Sequence, residues 1–170
     1  ITMEKYDLIV IGGGPSGYAG AMRALDFKKK VLLIEKNKIG GAGVYDGVLT
    51  SKTLWEFSHK VASIRELSPD YKIAFEQIDR TVKEAVFERK TQMTVHLQLL
   101  ENIVEDKLFT YEKGHASFID KNTISITREG KEEKMVYGDK ILIATGSRPR
   151  YLSHSPIDEQ TILTSNGVRN

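Results

Sequence analysis

Residues 6–35 read YDLIVIGGGPSGYAGAMRALDFKKKVLLIE, which is the pattern of a complete βαβ nucleotide-binding unit. Residues 8–11 form a continuous apolar run, typical of a strand that is buried on both faces of a parallel sheet. A helical pattern then continues to about residue 28, and residues 31–34 form a second buried-type strand. This order predicts two parallel strands joined by a crossover helix.

The turn between the first strand and the helix carries the chemistry of the unit. Gly12, Gly14 and Gly17 form G-x-G-x-x-G, in which the first glycine permits a tight turn and the second lets the backbone approach a pyrophosphate. The third allows close packing of helix on strand. Pro15 and Ser16 open the helix, where proline is favoured and the free amides and helix dipole attract a phosphate.

An acidic residue, Glu35, ends the second strand. A carboxylate at this position accepts hydrogen bonds from both ribose hydroxyls and repels a 2′-phosphate. The unit therefore predicts a ligand with an adenosine diphosphate half and a free 2′-hydroxyl. The motif does not choose between NAD and FAD, and the alternative is a plain βαβ unit whose glycines serve packing alone.

Composition excludes several classes of function. The 170 residues include 25 Lys plus Arg against 23 Asp plus Glu, so no electrostatic argument favours nucleic acid. The chain has no cysteine, which excludes disulfides, thiolate metal sites and cysteine nucleophiles and agrees with a cytoplasmic location. No apolar stretch approaches the roughly 18–20 residues of a membrane span, and no secretory leader is visible. The histidines have no metal-ligand spacing, so we expect no metal site.

The middle of the chain is predicted to be a helical insert at about residues 51–101. A glycine-rich loop precedes it, and Thr50 or Ser51 is expected to cap a helix over residues 52–66. A longer helix is expected over about 74–101. We interpret the apolar stripes of both helices as core packing, not as a cofactor box or a coiled coil. The stripes consist of Leu54, Phe57, Val61 and Ile64 in the first helix, and Phe75, Ile78, Val82, Val86, Met93, Leu97 and Leu100 in the second.

From residue 109 the apolar period changes to alternation. Short strands are expected at 109–111, 115–119, 123–127 and 134–137, as a small antiparallel β-meander over about 109–138. Residues 140–144 form a separate buried-type strand, and the last twenty residues read as loop. Together the patterns predict an α/β, Rossmann-like domain with a parallel sheet, a helical insert and the meander.

Several stretches together resemble the N-terminal FAD domain of the pyridine nucleotide-disulfide oxidoreductases, and the resemblance covers almost the whole chain. They are GGGPSG at 12–17, Glu35-Lys36, GGAGVYDGVLTSK at 40–52, GHASFID at 114–120 and ATGSRP at 144–149. The resemblance implies FAD as the cofactor and NAD(P)H as substrate of a longer, homodimeric protein. It also implies that residues 1–150 are the FAD-binding domain and that 151–170 lead to a missing NAD(P)-binding domain.

The resemblance further implies which residues bind the cofactor. Ala116 would meet the adenine through its backbone, and Lys52 would lie near the flavin N5, where a cation stabilises negative charge. The alternatives are an exposed first-turn lysine at 52 and an ordinary strand-ending turn at 144–146. The implied set is Gly12, Gly14, Pro15, Ser16, Gly17, Glu35, Lys36, Gly40, Gly41, Ala42, Gly47, Lys52, His115, Ala116, Ala144, Thr145 and Gly146.

One departure from the family pattern bears on the chemistry. The disulfide enzymes read G-G-T-C-x-N-x-G-C-x-P-S-K, whereas here Gly43 and Val48 stand at the cysteine positions and Thr50 replaces the proline. Dithiol exchange needs a thiolate, so the usual reduction of lipoamide, glutathione or thioredoxin is not expected, and no catalytic residue is assigned.

The loop is more similar to the soluble transhydrogenase branch, which passes hydride between nicotinamide nucleotides through flavin alone. We therefore expect an NAD(P)+ transhydrogenase as the complete protein, with these residues inactive on their own. Two alternatives stay open. One is a dihydrolipoamide dehydrogenase-like flavoprotein that uses quinone or oxygen as acceptor, and the other is a non-catalytic, FAD-bound scaffold.

Overall fold

The computed structural model describes residues 3–45, 47–70, 72, 74–103, 107–130, 133–164 and 167, with the backbone alone for Phe75 and residues 96–103. Within these residues a βαβ unit is followed by three further helices and then by four further strands. They are β1 (Glu4–Ile11), α1 (Pro15–Asp26), β2 (Val31–Glu35), α2 (Gly41–Val44), α3 (Val48–Leu67), α4 (Phe75–Ile103), β3 (Phe109–Lys113), β4 (His115–Phe118), β5 (Thr123–Thr127) and β6 (Lys134–Ile143).

The strands form one sheet in the order β3-β2-β1-β6-β5-β4. In parallel, β3 pairs with β2, β2 with β1 and β1 with β6. In the antiparallel part, β6 pairs with β5 and β5 with β4. The predicted α/β, Rossmann-like fold with a mostly parallel sheet is confirmed. β3, which the sequence placed with the meander, pairs with β2 in the parallel part, so the antiparallel part consists of β4, β5 and β6.

The central strands are buried on both faces, which explains their continuous apolar runs. One face of β1 and β2 packs against α1, and the other packs against the antiparallel strands. Burying each such aliphatic side chain is worth about 1.5–3 kcal/mol. The first cluster contains Val10, Ala21, Val31, Leu33, Ile39 and Phe109, and the second contains Tyr6, Ile9, Leu32, Ile34, Ile124, Ile126 and Val136.

Strand β6 is one continuous strand where the sequence predicts two, at 134–137 and 140–144. Its residues 136–143 pair with β1, and its residues 134–137 pair with β5. Gly138 permits this, because a Cβ there would lie 2.8 Å from Cδ1 of the fully buried Ile9. The missing side chain lets β6 run past β1 without a break.

An ion-pair network fastens the antiparallel strands to the parallel ones. The Glu112 carboxylate accepts hydrogen bonds from Arg128 Nη1 at 2.9 Å and from Lys134 Nζ at 2.6 Å, and the Glu112 side chain is 12% exposed. Lys134 Nζ also lies 3.3 Å from Glu4 Oε2 at the start of β1. The network therefore links β1, β3, β6 and the end of β5.

The chain forms two compact units. The first comprises Ile1–Ala42 and Thr94–Arg148, and the second comprises Gly43–Met93 and Pro149–Asn170.

The helices of the second unit begin and pack differently from the sequence prediction. α3 starts at Val48 with Gly47 as its N-cap, so the predicted caps Thr50 and Ser51 lie inside the helix. Gly47 has φ +96°, a conformation that favours glycine. Because the loop contains four glycines, the sequence did not indicate which of them would cap the helix. Part of the predicted loop is the short helix α2.

The apolar stripes are less buried than predicted. Thr53 is the buried residue of α3, whereas Leu54 and Ile64 are exposed. In α4 Val82 is buried and Met93 is exposed, with Ile78 and Val86 between these extremes. The side chains of Phe75, Leu97 and Leu100 lie outside the described residues. Helical period thus identifies a face but not how completely a partner covers it.

Candidate functional site

The first unit gathers most of the predicted site residues at one edge of the sheet. Ile11, Ile34 and Ile143 lie in register at the carboxyl ends of their parallel strands, and Glu35 lies opposite Lys113 one residue further on. Ligands of open α/β sheets bind outside this edge. The loops that follow these strands therefore define the candidate site.

The first glycine turn is built from direct backbone contacts. Gly12 has φ +109°, and a Cβ there would overlap the carbonyl oxygen of Ala144. A Cβ on Gly17 would overlap the carbonyl oxygen of Gly12. Backbone hydrogen bonds of 2.8 Å from Gly12 N to Ile34 O and from Ala144 N to Ile11 O hold the turn across three strands. Glycine is thus required at both positions by contacts within the protein.

The N-terminus of α1 is open to a ligand. Gly14 is its N-cap in an extended conformation, and no side chain caps the helix. A Cβ on Gly14 would meet nothing within 4 Å. Pro15 has no N–H, and the first-turn amides of Ser16 and Gly17 have no intrahelical acceptor. Free amides, a helix dipole and open space together form a cradle for an anionic phosphate.

Glu35 is held against this cradle by two backbone amides. Its Oε2 accepts from Gly13 N at 2.7 Å, and its Oε1 accepts from Asn37 N at 2.7 Å. A carboxylate has about four acceptor sites, so both oxygens can still accept from sugar hydroxyls. The sequence prediction missed Gly13, because Gly13 acts through its backbone N–H and not through a side chain. Its position inside the glycine motif was the one feature that could have indicated this role. Asn37 gave no signal.

The second glycine loop packs on the first. Gly40 donates to the Gly13 carbonyl at 2.7 Å, and Gly41 has φ +49°. A Cβ on Gly41 would lie 3.0 Å from Gly14 Cα. Two glycine backbones therefore touch beside the phosphate cradle, and Lys36 and Ala42 are exposed next to them.

The start of β4 and the end of β6 complete this edge. Gly114 N donates to Glu35 O at 3.0 Å, which brings His115 and Ala116 next to the end of β2. His115 is exposed, with Nδ1 3.4 Å from Ser117 Oγ, and Ala116 is half-buried. Beyond β6, Thr145 and Gly146 are exposed, and Gly146 has φ +73°. The residues of this edge fit the ADP half of a dinucleotide: an amide cradle, a fixed carboxylate and glycine backbones without side chains.

Two predicted site residues, Gly47 and Lys52, belong to the second unit. Gly47 caps α3, and Lys52 is an exposed residue of its first half. Lys52 makes no ion pair with any residue that the structure describes. Their predicted roles beside the flavin stay predictions.

Other kinds of site find no support within the described ranges. No group of three or more His, Cys, Asp or Glu residues there could hold a metal ion. None of the helices in that part of the chain combines the length and apolarity that crossing a membrane requires.

Comparison with known proteins identifies the family. The sequence pattern of the family described as "Pyridine nucleotide-disulphide oxidoreductase" matches residues 6–168. The chain belongs to this family. Its members are FAD-dependent oxidoreductases that work with nicotinamide nucleotides, so the predicted family and cofactor are confirmed at that level.

Relatives within the family have different names. The chain is 34% identical over 176 residues to soluble pyridine nucleotide transhydrogenase of Mycobacterium bovis, covering 98% of this chain and 36% of the relative. It is 28% identical over 166 residues to leghemoglobin reductase of Glycine max, covering 97% and 32%. Dihydrolipoyl dehydrogenase of Pisum sativum is also 28% identical over 166 residues, covering 97% and 33%. The chain thus spans about a third of the length of these relatives.

A solved structure supports the fold. The Cu(II) complex of HOCl-induced flavoprotein disulfide reductase RclA from Escherichia coli superposes with a TM-score of 0.69 at 22% identity. The match covers 99% of this chain and 35% of that one.

Proposed function

We propose that this chain is the FAD-binding part of a longer oxidoreductase that passes hydride from one nicotinamide nucleotide to another through FAD, without a redox disulfide. The observation that carries the proposal is the loop at residues 40–52, where a family member has Gly43 and Val48 at the cysteine positions. The 34% identity to a soluble pyridine nucleotide transhydrogenase supports the same activity.

Each part of the candidate site has a task in this function. FAD, when bound, takes up a hydride equivalent from one nicotinamide and gives it to another. The amides at the start of α1 would hold the pyrophosphate, and Glu35 would accept from the ribose hydroxyls. We propose Lys52 as the cation beside the flavin, where it would stabilise the negative charge that reduction adds.

The remaining implied residues would shape the site around these groups. Gly40, Gly41 and Ala42 would follow the pyrophosphate, and His115 with Ala116 would border the adenine. Residues 144–146 would cross near the cofactor. Residues 151–170 would lead to an NAD(P)-binding domain in a homodimeric, cytoplasmic protein.

Transhydrogenation by the complete protein tests the proposal. Under anaerobic conditions NADPH or NADH should bleach the flavin absorbance, and thio-NAD+ should restore it. A cysteine-directed alkylating reagent should leave the rate unchanged, because residues 43 and 48 carry no thiol. Bleaching without reoxidation by an oxidised nicotinamide would overturn the transhydrogenase function.

The same experiment separates the alternatives. A protein whose reduced flavin reacts with quinone or oxygen but not with thio-NAD+ would be a dihydrolipoamide dehydrogenase-like flavoprotein with another acceptor. A protein that binds FAD but is not bleached by either reduced nicotinamide would be a scaffold. The vacated cysteine positions together with Thr50 in place of proline favour this last alternative over other non-enzymatic functions.

A further inference from the structure

The corner between β3 and β4 joins two parts of the sheet through one residue, Gly114. β3 pairs with β2 in parallel, and β4 pairs with β5 antiparallel, so the chain changes partners at this corner. The corner also borders the candidate site, because Gly114 N donates to Glu35 O at 3.0 Å and is followed by His115 and Ala116. The geometry of the corner therefore decides where the first residues of β4 lie relative to the end of β2.

A side chain from the end of β5 spans this corner. Arg128 follows Thr127, which pairs with His115 in the register of β4 and β5. A Cβ on Gly114 would lie 3.0 Å from Arg128 Cγ, so the stem of the arginine passes against the glycine backbone. At its far end, Arg128 Nη1 donates to Glu112 Oε2 on β3 at 2.9 Å. Arg128 thus packs against the corner and also pairs with the strand that precedes it.

The ion pair between Arg128 and Glu112 is suited to hold this geometry. Their side chains are 26% and 12% exposed, so solvent and salt screen the attraction less than at an open surface. The guanidinium adds a directed hydrogen bond to the attraction between the charges. Glu112 has a second partner, Lys134 Nζ at 2.6 Å, which holds the carboxylate from another strand. Glu112 is therefore a fixed anchor on which Arg128 closes the corner.

We propose that Arg128 is a positioning residue for adenine recognition: its pair with Glu112 keeps the first residues of β4 beside Glu35, where the β4 backbone contacts the base. The inference rests on the proposed function, in which His115 and Ala116 border the adenine. β4 is the last strand in the order of the described sheet, so alternate amides and carbonyls of its backbone point away from β5 and are open to a base. In this role Arg128 acts through the position of the β4 backbone and not by contact with the cofactor.

The relative affinity for FAD and deamino-FAD tests this in the apo form of the complete protein. Deamino-FAD carries hypoxanthine, so an oxygen acceptor replaces the amino donor at C6 of the base and N1 gains a proton, while the ribose, pyrophosphate and flavin are unchanged. A backbone held against the adenine edge should prefer FAD about tenfold, because deamino-FAD loses a hydrogen bond and leaves a polar group unpaired. Titrations followed by flavin fluorescence give both dissociation constants.

Substitutions of Arg128 should weaken this preference. Arg128→Met should reduce it to about threefold, half of the difference on the free-energy scale, because the apolar stem stays against Gly114 but the bond to Glu112 is lost. Arg128→Lys should give an intermediate preference, because lysine keeps the charge but not the fork of arginine. Lys134→Met is the matched control, since it removes the other partner of the same carboxylate at similar exposure, and the backbone of Lys134 pairs with β5 and not with β4. Its preference should equal that of the wild-type protein.

A purely stabilising role for Arg128 predicts a different result. Arg128→Met and Lys134→Met would then both lower the midpoint of chemical unfolding and weaken both cofactors equally. An unchanged preference in Arg128→Met would overturn the inference. If Arg128→Met does not unfold cooperatively, Arg128→Lys takes its place: a preference below that of the wild-type protein supports the inference, and an unchanged preference overturns it.

The experiment also separates this inference from the proposed function. If the wild-type protein binds FAD and deamino-FAD equally, the β4 backbone does not read the adenine, and that part of the proposed function fails together with the inference. If the wild-type protein prefers FAD and Arg128→Met does so equally, the inference alone fails. Hydride transfer to thio-NAD+ is a separate measurement, so a failure of the transhydrogenase function would leave the result at the adenine unchanged.

Discussion

At the scale of single residues, the three motif glycines have different physical duties. Gly12 and Gly17 are required by contacts within the protein, because a Cβ at either would overlap a backbone carbonyl oxygen. Gly14 faces open space, so its missing side chain serves no internal contact. The sequence motif predicts all three glycines together. The structure shows that the fold requires Gly12 and Gly17, whereas the absence of a side chain at Gly14 leaves space for a ligand.

Gly14→Ala should therefore separate stability from binding. Gly14 has φ −76°, which alanine adopts freely, so the apo protein should keep its stability within about 0.5 kcal/mol. The added methyl group would occupy the space above the helix N-terminus, and FAD affinity should fall at least about tenfold, or about 1.4 kcal/mol. Denaturant unfolding and FAD titration by fluorescence measure the two quantities.

Gly12→Ala is the matched comparison. It combines φ +109° with an overlap at Ala144, so it should destabilise the apo protein by about 2–4 kcal/mol and impair binding as well. Equal stability losses in the two variants would contradict the assignment of separate duties.

Glu35→Gln should weaken FAD binding about tenfold. The carboxylate accepts from Gly13 N and Asn37 N, and an amide group would turn one of its two oxygens into a donor that faces an N–H. An amide would also offer the ribose hydroxyls a neutral acceptor in place of a charged one. A hydrogen bond to a charged group is worth about 1.5–3 kcal/mol, against about 0.5–1.5 kcal/mol for a neutral one, so the expected loss is about tenfold in affinity. Glu129→Gln, at an exposed turn position, is the control in the same titration.

Asp158 gives a pH-dependent prediction. Its Oδ1 accepts from the amides of Gln160, Thr161 and Ile162 at 2.7–2.9 Å. Donation by Ile162, Gln160 and Thr161 lowers the pKa of Asp158 to about 2. Because the folded pKa lies below the ordinary value of 3.8, the stabilisation of this turn is present above about pH 4 and is lost as the pH falls through 2. An NMR titration of the Asp158 carboxyl carbon should give this midpoint, and a midpoint near 3.8 would contradict it.

At the scale of elements, local patterns predict the strands and helices better than their joins. The βαβ unit is predicted correctly because its signals, the apolar runs and the glycine turn, are local. The continuity of β6 is not predicted, because it depends on Gly138 lying against Ile9, a residue far away in the chain. The start of α3 is missed for a related reason, since the positive φ of Gly47 is a property of the fold.

Gly138→Ala tests the account of β6. The new Cβ would lie 2.8 Å from Ile9 Cδ1 and 3.1 Å from Lys140 O, and Ile9 is fully buried. Overpacking at such a place costs about 1–3 kcal/mol, so the midpoint of chemical unfolding should fall accordingly. Asp139→Ala, at the exposed neighbouring position, should change stability by less than about 0.5 kcal/mol. Similar losses in both variants would show that the strand tolerates a side chain at 138.

At the scale of the whole molecule, the structure of this chain shows the fold, whereas the activity of the complete protein is a proposal. The first unit contains the complete edge that fits the ADP half of the cofactor. The chain spans about a third of the length of the relatives named above, so the nicotinamide site and the electron acceptor of the complete protein are proposed and not observed. Sequence reasoning predicted a ligand with an adenosine diphosphate half because the residues that recognise it lie in one continuous stretch, Gly12 to Glu35. The choice of FAD came from the resemblance to the family. Sequence reasoning could not predict that Arg89 of α4 bonds Thr53 and Glu56 of α3, because these contacts depend on how the two helices pack against each other.

The absorption spectrum of the purified 170-residue chain, recorded after FAD is added and unbound FAD is removed by desalting, tests whether this chain binds FAD. We expect flavin bands in the visible range that are retained by the wild-type chain and strongly reduced in Gly14→Ala. If the wild-type chain is colourless, the spectrum of the complete protein decides. A complete protein without bound flavin would contradict the claim that the glycine turns and Glu35 form an FAD site.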